Sequence, residues 1–128
     1  MGRTITTFPE RFMNVRDQVA ELHLNHHLSR DEVDPETLAE MDRLGITEDY
    51  RIGDLWITLK DGRVFGFQAS TPEYLRYYMD RERELSFVSS GLIVVSEMSL
   101  EAILHAIEEC LSKAEYYGLE HFGYRMSE

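Results

Sequence analysis

The sequence predicts a single α+β domain in which helices from both ends of the chain flank a small mixed sheet. The predicted sheet combines a β-hairpin with a strand-helix-strand crossover. Alternating apolar segments on either side of Asp61-Gly62 predict the hairpin, and a further apolar segment reached through a helix predicts the crossover. Apolar residues at helical spacing near both termini predict the flanking helices. The length of 128 residues fits one domain over 1–128.

Four helices are predicted, over about 9–28, 35–44, 72–83 and 99–117. The second and third begin at Asp34-Pro35 and Thr71-Pro72, where a capping side chain precedes proline. Ser99 is the expected N-cap of the last helix. The first helix is predicted from apolar residues that step by four and three along the chain: Phe8, Phe12, Val15, Val19 and Leu22.

Four strands are predicted, over about 52–60, 63–70, 85–88 and 92–96. The first two alternate clearly and form the hairpin, and the glycine at position 66 indicates a bulge or a close packing contact. The segment from Leu92 to Val95 shows no polar alternation, which predicts a central strand buried on both faces. The crossover that leads to it is expected to be right-handed.

Several classes of protein are excluded by composition and by missing motifs. The chain has one cysteine, so it forms no internal disulfide and no multi-cysteine zinc site. It contains no apolar run of membrane-spanning length and no apolar N-terminal leader. Glycine-rich phosphate loops are also missing, so we expect no nucleotide and no other bound cofactor. These features predict a cytoplasmic protein.

Acidity is the most informative global property of the chain. The formal net charge is −11. The excess lies in residues 31–49, with eight acidic residues and one basic residue, and in residues 97–120, with six and one. Such a surface repels nucleic acids and anionic membranes, and it attracts a basic protein partner. The alternative is that the acidity serves solubility alone.

Candidate partner-binding residues come from the acidic segment and from the aromatic side chains. Trp56 alternates with the apolar residues of its strand, so it is predicted to face away from them, and Tyr77 lies on the third helix. The alternative is that helices cover both sheet faces and that these rings belong to the core. The acidic candidates are Asp31, Glu32, Asp34, Glu36, Glu40 and Asp42.

Histidines near the end of the first predicted helix suggest a metal site. His23 and His27 are four residues apart, which would place both on one helix face as two ligands of one zinc ion. The alternative is a polar last helical turn that favours cationic side chains. Cys110 and His105 are five residues apart and point in different directions on the last helix, so Cys110 is predicted to be a buried structural cysteine.

In size, acidity and mixed α+β order, the chain resembles bacterial immunity proteins, which neutralise a cognate toxin by plugging its active site. The resemblance implies a non-enzymatic inhibitor whose acidic segment, or the outer face of its last helix, meets a basic cleft. An inhibitor of a defence protein would share these features. Two further hypotheses remain: a metal-binding protein or metal-dependent enzyme built on His23 and His27, and a homo-oligomeric accessory domain, such as a homodimer, closed by exposed aromatic side chains.

Overall fold

A computed structural model of the chain describes residues 3–25, 35–36, 39, 53–88, 90–97 and 99–126. Among these residues, six strands form one sheet, and three helices whose bounds are described accompany it, which confirms the predicted α+β class. The strands are β1 (Arg3–Ile5), β2 (Val19–Leu24), β3 (Gly53–Leu59), β4 (Val64–Ser70), β5 (Leu92–Val94) and β6 (Tyr124–Arg125). The helices are α1 (Met13–Gln18), α2 (Pro72–Glu82) and α3 (Leu100–Tyr117), and a 3₁₀ turn follows at Leu119–His121.

The sheet is mixed, with strand order β1-β2-β3-β4-β5. Every pair is antiparallel except β4 with β5, which run parallel and are connected through α2. Strand β6 also pairs with β4, opposite Phe65 and Gly66, whereas β5 pairs with β4 over Gln68–Ser70. Both halves of the outer edge of β4 are therefore occupied.

The hairpin is formed as predicted. In its register Leu55 lies opposite Phe67 and Ile57 opposite Phe65. Gly62 adopts a φ of 96°, a conformation that favours glycine. The Asp61 carboxylate accepts hydrogen bonds from the backbone N–H and the side chain of Arg63, and these bonds lower the pKa of Asp61.

One face of the sheet forms the core together with α1 and α3. The inward side chains of β2, β3 and β4 are almost completely buried, and α3 supplies a matching stripe. Ser99 caps α3 by accepting the N–H of Ala102, as predicted, and Gly118 ends the helix. The α3 stripe consists of Ile103, Leu104, Ile107, Cys110 and Leu111.

The first predicted helix, 9–28, forms only over Met13–Gln18, and residues 26–28 of that prediction lie outside the described residues. The chain is helical only over α1 and then enters β2, whose side chains pair across to β3. The apolar stripe itself is buried as expected, because Leu22 and Leu24 also satisfy the two-residue period of a strand. The pairing of β2 with β3 shifts register between Val19 and Glu21. Because of this shift, the apolar side chains at helical spacing before it and those at alternate positions after it are buried in the same core. Pairing with β3 therefore overrides the local helical pattern.

Helix α1 is capped by a side chain from another helix. Its N-cap residue is Phe12, which has no side-chain acceptor. The Glu108 carboxylate of α3 instead accepts the backbone N–H groups of Asn14 and Val15, at 3.1 and 3.0 Å, and the Asn14 side-chain amide at 2.6 Å. The second and third N–H groups of the helix thus gain the acceptor that a local cap normally provides.

The predicted strand at 85–88 is not formed. The segment is irregular, with Leu85 and Val88 fully exposed, although Phe87 packs edge-on against Tyr78 at 5.6 Å. The physical reason is that Leu85 and Val88 face solvent, so the segment presents no apolar face to bury against the sheet. The strand predicted at 92–96 exists as β5, but among the described residues it lies at the edge of the sheet rather than in its centre, and Val94 is exposed.

The helix predicted at 72–83 corresponds to α2, and Thr71 caps it by accepting the N–H of Tyr74. Its tyrosines are only half-buried, and none of its residues is fully buried. Of the helix predicted at 35–44, Pro35, Glu36 and Ala39 are helical and exposed, and the rest lies outside the described residues. No helix in the described part of the chain has the length and apolar character needed to cross a membrane.

Candidate protein-binding groove

A groove separates the end of β5 from helix α3. It encloses about 500 Å³ and is open to solvent along one side. One wall is formed by Val94, Val95, Ser96 and Glu97, and the other by the residues of α3 that follow its Ser99 cap. The α3 wall consists of Glu101, Ala102, His105, Ala106 and Glu109. We call this cavity the acidic groove.

Three carboxylates give the groove its charge. Glu97 lies in the bend between β5 and α3, and Glu101 and Glu109 lie on the groove side of α3, eight residues or about 12 Å of helix apart. No lysine or arginine belongs to the described residues that line it. Arg11 reaches the rim and pairs with Glu101 at 3.1 Å, with both side chains mostly exposed. A basic ligand can displace such an exposed pair at little cost.

A smaller cavity of about 180 Å³ adjoins the acidic groove and shares Val94, Ala106 and Glu109 with it. Its remaining lining is more apolar and consists of Ile93, Cys110 and Phe122 together with Lys113. The two cavities together follow β5 along its length. A ligand in this position would meet carboxylates at one end and apolar side chains at the other.

The edge of β5 that faces away from β4 carries backbone groups with no partner among the described residues. Gly91 C=O and Val95 N–H bond to Gln68 and Ser70 of β4, so odd-numbered positions of β5 face β4. The parallel ladder then directs the N–H and C=O groups of Leu92 and Val94 outward. The side chain of Val94 is 53% exposed. This edge borders the acidic groove.

The sheet face opposite the core carries Trp56, as predicted from alternation. Trp56 is half-buried rather than an exposed anchor, and its ring stacks on His23 at 4.1 Å. His23 Nδ1 is hydrogen-bonded to Thr4 Oγ1 at 2.9 Å. On the other side of Trp56, Gly66 leaves space for the Tyr124 ring, which a Cβ at position 66 would overlap. The close packing expected at Gly66 is confirmed.

Tyr77 is half-buried on α2. Its hydroxyl oxygen is buried without a hydrogen-bond partner in the part of the chain that the structure describes. The guanidinium of Arg81 lies 5.7 Å from the ring centroid, and the neighbouring Tyr77 and Glu82 raise the pKa of Arg81. Tyr77 is therefore not the exposed side chain expected of an interface anchor.

Most of the predicted acidic site lies outside the described residues. Glu36 is described and exposed. The other candidates of that segment lie outside the described residues: Asp31, Glu32, Asp34, Glu40 and Asp42.

The helical spacing behind the predicted metal site is wrong. His23 lies on β2, so it does not share a helix face with His27, which lies outside the described residues. The described residues contain no group of three potential ligands that could hold a metal ion. His23 instead contributes to the stack with Trp56.

Cys110 and His105 are separated as predicted. His105 is exposed on the acidic groove, and Cys110 is 7% exposed and belongs to the core stripe of α3. Burial, together with the neighbouring Glu109 carboxylate, raises the pKa of the Cys110 thiol to about 11. A thiol with this pKa carries little thiolate at neutral pH, as expected for a structural cysteine.

Sequence reasoning predicted only part of this site. Glu101 and Glu109 lie on the last helix, whose outer face is the predicted alternative contact surface, whereas Glu97 precedes that helix and has no predicted partner-binding role. The contribution of Val94 was missed, because β5 was predicted to be central. The shortness of the apolar run, bounded by Gly91 and Ser96, was the available signal of an edge position.

No protein-family model matches the chain, and neither a curated protein nor a solved structure does. The functional conclusion therefore depends on the chemistry of the groove.

Proposed function

We propose that this protein is a non-enzymatic binding module that uses the acidic groove to mask a basic surface of a partner protein, as an immunity protein or inhibitor does. The observation that carries the proposal is the convergence of Glu97, Glu101 and Glu109 on one open cavity lined by no lysine or arginine among the described residues. A concave site with a single sign of charge concentrates its field and steers an oppositely charged partner into the cavity.

Not every carboxylate of the last helix is available for this role. Glu108 is turned toward α1 and is occupied by Asn14 and Val15. Glu101 and Glu109 lie on the neighbouring part of the helix surface and remain accessible. The structure thus separates one acid that stabilises the fold from the acids that are available to a partner.

Affinity capture from the native cell tests the proposal with two variants of equal charge change. One is Glu97→Gln/Glu101→Gln/Glu109→Gln, which neutralises the groove. The matched control neutralises three exposed carboxylates outside it: Glu10→Gln/Glu73→Gln/Glu84→Gln. We expect a basic protein to be retained by the wild type and by the control, and to be lost from the groove variant.

Binding kinetics of the captured protein then measure the electrostatic contribution. We expect association to slow as salt rises, with a smaller salt dependence for the groove variant. Equal losses in both variants would show that net charge alone retains the partner, and the groove would then be excluded as the binding site. A partner without basic character would refute the proposal.

The predicted acidic segment offers a second contact surface that can be tested independently. Reversing Glu36, Glu40 and Asp42 to lysine should abolish binding if this segment contacts the partner. Unchanged affinity in the triple variant would exclude this surface and leave the groove as the site.

A further inference from the structure

We infer that the partner contributes an extended segment, which adds a strand to the outer edge of β5 and directs basic side chains toward α3. This inference rests on the proposed function and specifies its binding mode. The backbone supplies the first argument. The outward N–H and C=O groups of Leu92 and Val94 have no partner among the described residues, and an added strand pairs with such groups directly.

Charge complementarity supplies the second argument. The wall facing this edge carries Glu101 and Glu109, about 12 Å apart along α3. In an extended segment, side chains four positions apart are on the same face and about 13 Å apart. Two basic residues with this spacing can therefore reach both carboxylates, whereas residues three positions apart point to opposite faces.

The adjoining cavity provides a place for the rest of the segment. Its apolar lining by Ile93, Cys110 and Phe122 suits an apolar side chain at the end of the segment nearest the C-terminus of α3. The acidic groove and this cavity share Val94, so one strand alongside β5 would pass both.

A fluorescent peptide of roughly nine residues tests this binding mode. The probe is threonine-rich with two lysines four positions apart, and a control peptide of equal composition has them three positions apart. Two further peptides carry N-methyl groups on alternate backbone amides, one on each edge of the extended chain. We expect only one N-methylated peptide to lose binding, because only one edge of the added strand faces β5.

Variants of the full-length protein test the same contacts from the other side. Val94→Pro removes an N–H that faces away from β4, so the existing ladder is retained, and Val94→Thr is the matched β-branched control. We expect Val94→Pro to weaken peptide binding about fivefold, as for one lost hydrogen bond, with Val94→Thr near wild type. The N-methylated peptides give the same information if Val94→Pro does not fold.

The outcomes separate this inference from the proposed function. Three results together support both the proposed function and strand addition. Peptide binding is lost in Glu97→Gln/Glu101→Gln/Glu109→Gln, it is lost on N-methylation of one edge of the peptide only, and it depends on the lysine spacing. Loss of binding only in the groove variant, with no effect of N-methylation or spacing, overturns strand addition and leaves the basic partner in place. Binding that does not depend on the groove carboxylates, or no binding at all, overturns the inference.

The single tryptophan reports independently on the location of the peptide. Trp56 faces the side of the sheet opposite α3, so strand addition beside the acidic groove should leave its fluorescence unchanged. A large change in Trp56 emission on binding would place the peptide on the opposite sheet face and would overturn the inference.

Discussion

Glu108 holds the N-terminus of α1 from a neighbouring helix, and its removal should destabilise the whole domain. The helix has six residues, too few to persist in isolation, and its own N-cap position is occupied by a phenylalanine. Glu108→Ala leaves the N–H groups of Asn14 and Val15 without their acceptor in a partly buried position. The loss of an N-cap acceptor costs about 0.5–2 kcal/mol, and hydrogen bonds to a charged group contribute about 1.5–3 kcal/mol.

We therefore expect Glu108→Ala to lower the free energy of unfolding by about 2 kcal/mol. Glu108→Gln keeps one acceptor oxygen and should lose about half as much. The matched control is Glu115→Ala, an exposed glutamate on the same helix, for which we expect a loss below about 0.5 kcal/mol. Urea unfolding followed by circular dichroism and by Trp56 fluorescence measures all three variants.

Two results would refute this account of α1. The first is a Glu108→Ala midpoint equal to that of Glu115→Ala, which would mean that the carboxylate contributes nothing to the fold. The second is equal destabilisation by Glu108→Gln and Glu108→Ala, which would assign the effect to charge rather than to the acceptor oxygens. Hydrogen exchange at the Val15 amide checks the mechanism locally, because that amide should exchange faster in Glu108→Ala.

Measurements at Gly66, Cys110 and Arg11 test three other features of the protein. Gly66→Ala should cost about 1–3 kcal/mol in urea unfolding because its Cβ overlaps the Tyr124 ring, and the cost should disappear in a Tyr124→Ala background. Cys110 should react with a thiol reagent at pH 8 about 100-fold more slowly in the native protein than in urea, since its pKa is raised to about 11 from 9.0; equal rates would contradict its burial. The same raised pKa favours the native state up to about pH 9, and this contribution is lost as pH rises toward 11. Arg11→Gln should strengthen binding of the lysine peptide about two- to fivefold because Glu101 loses its competing partner; weaker binding would show that Arg11 assists the ligand.

Elements whose signals are local could be predicted well from the sequence. The hairpin around Asp61-Gly62 and the helices that begin after Thr71 and Ser99 occur close to the predicted positions, because turn geometry and capping depend on neighbouring residues. The buried set was also predicted in large part, since burial follows hydrophobicity whichever element carries it. The stripe from Phe8 to Leu22 is in the core although only Val15 of its five residues lies in a helix.

What the amino-acid pattern determined was which residues are apolar, which are acidic and where turns occur. Which strand lies beside which depended on tertiary pairing: β2 became a strand because β3 pairs with it, and β5 is an edge because no strand in the described part of the chain pairs with its outer side. Strand pairing joins residues that are far apart in sequence, so the periodicity of a local segment does not predict it. The candidate site has the same origin, because the carboxylates of α3 border a groove only once the edge of β5 lies beside them.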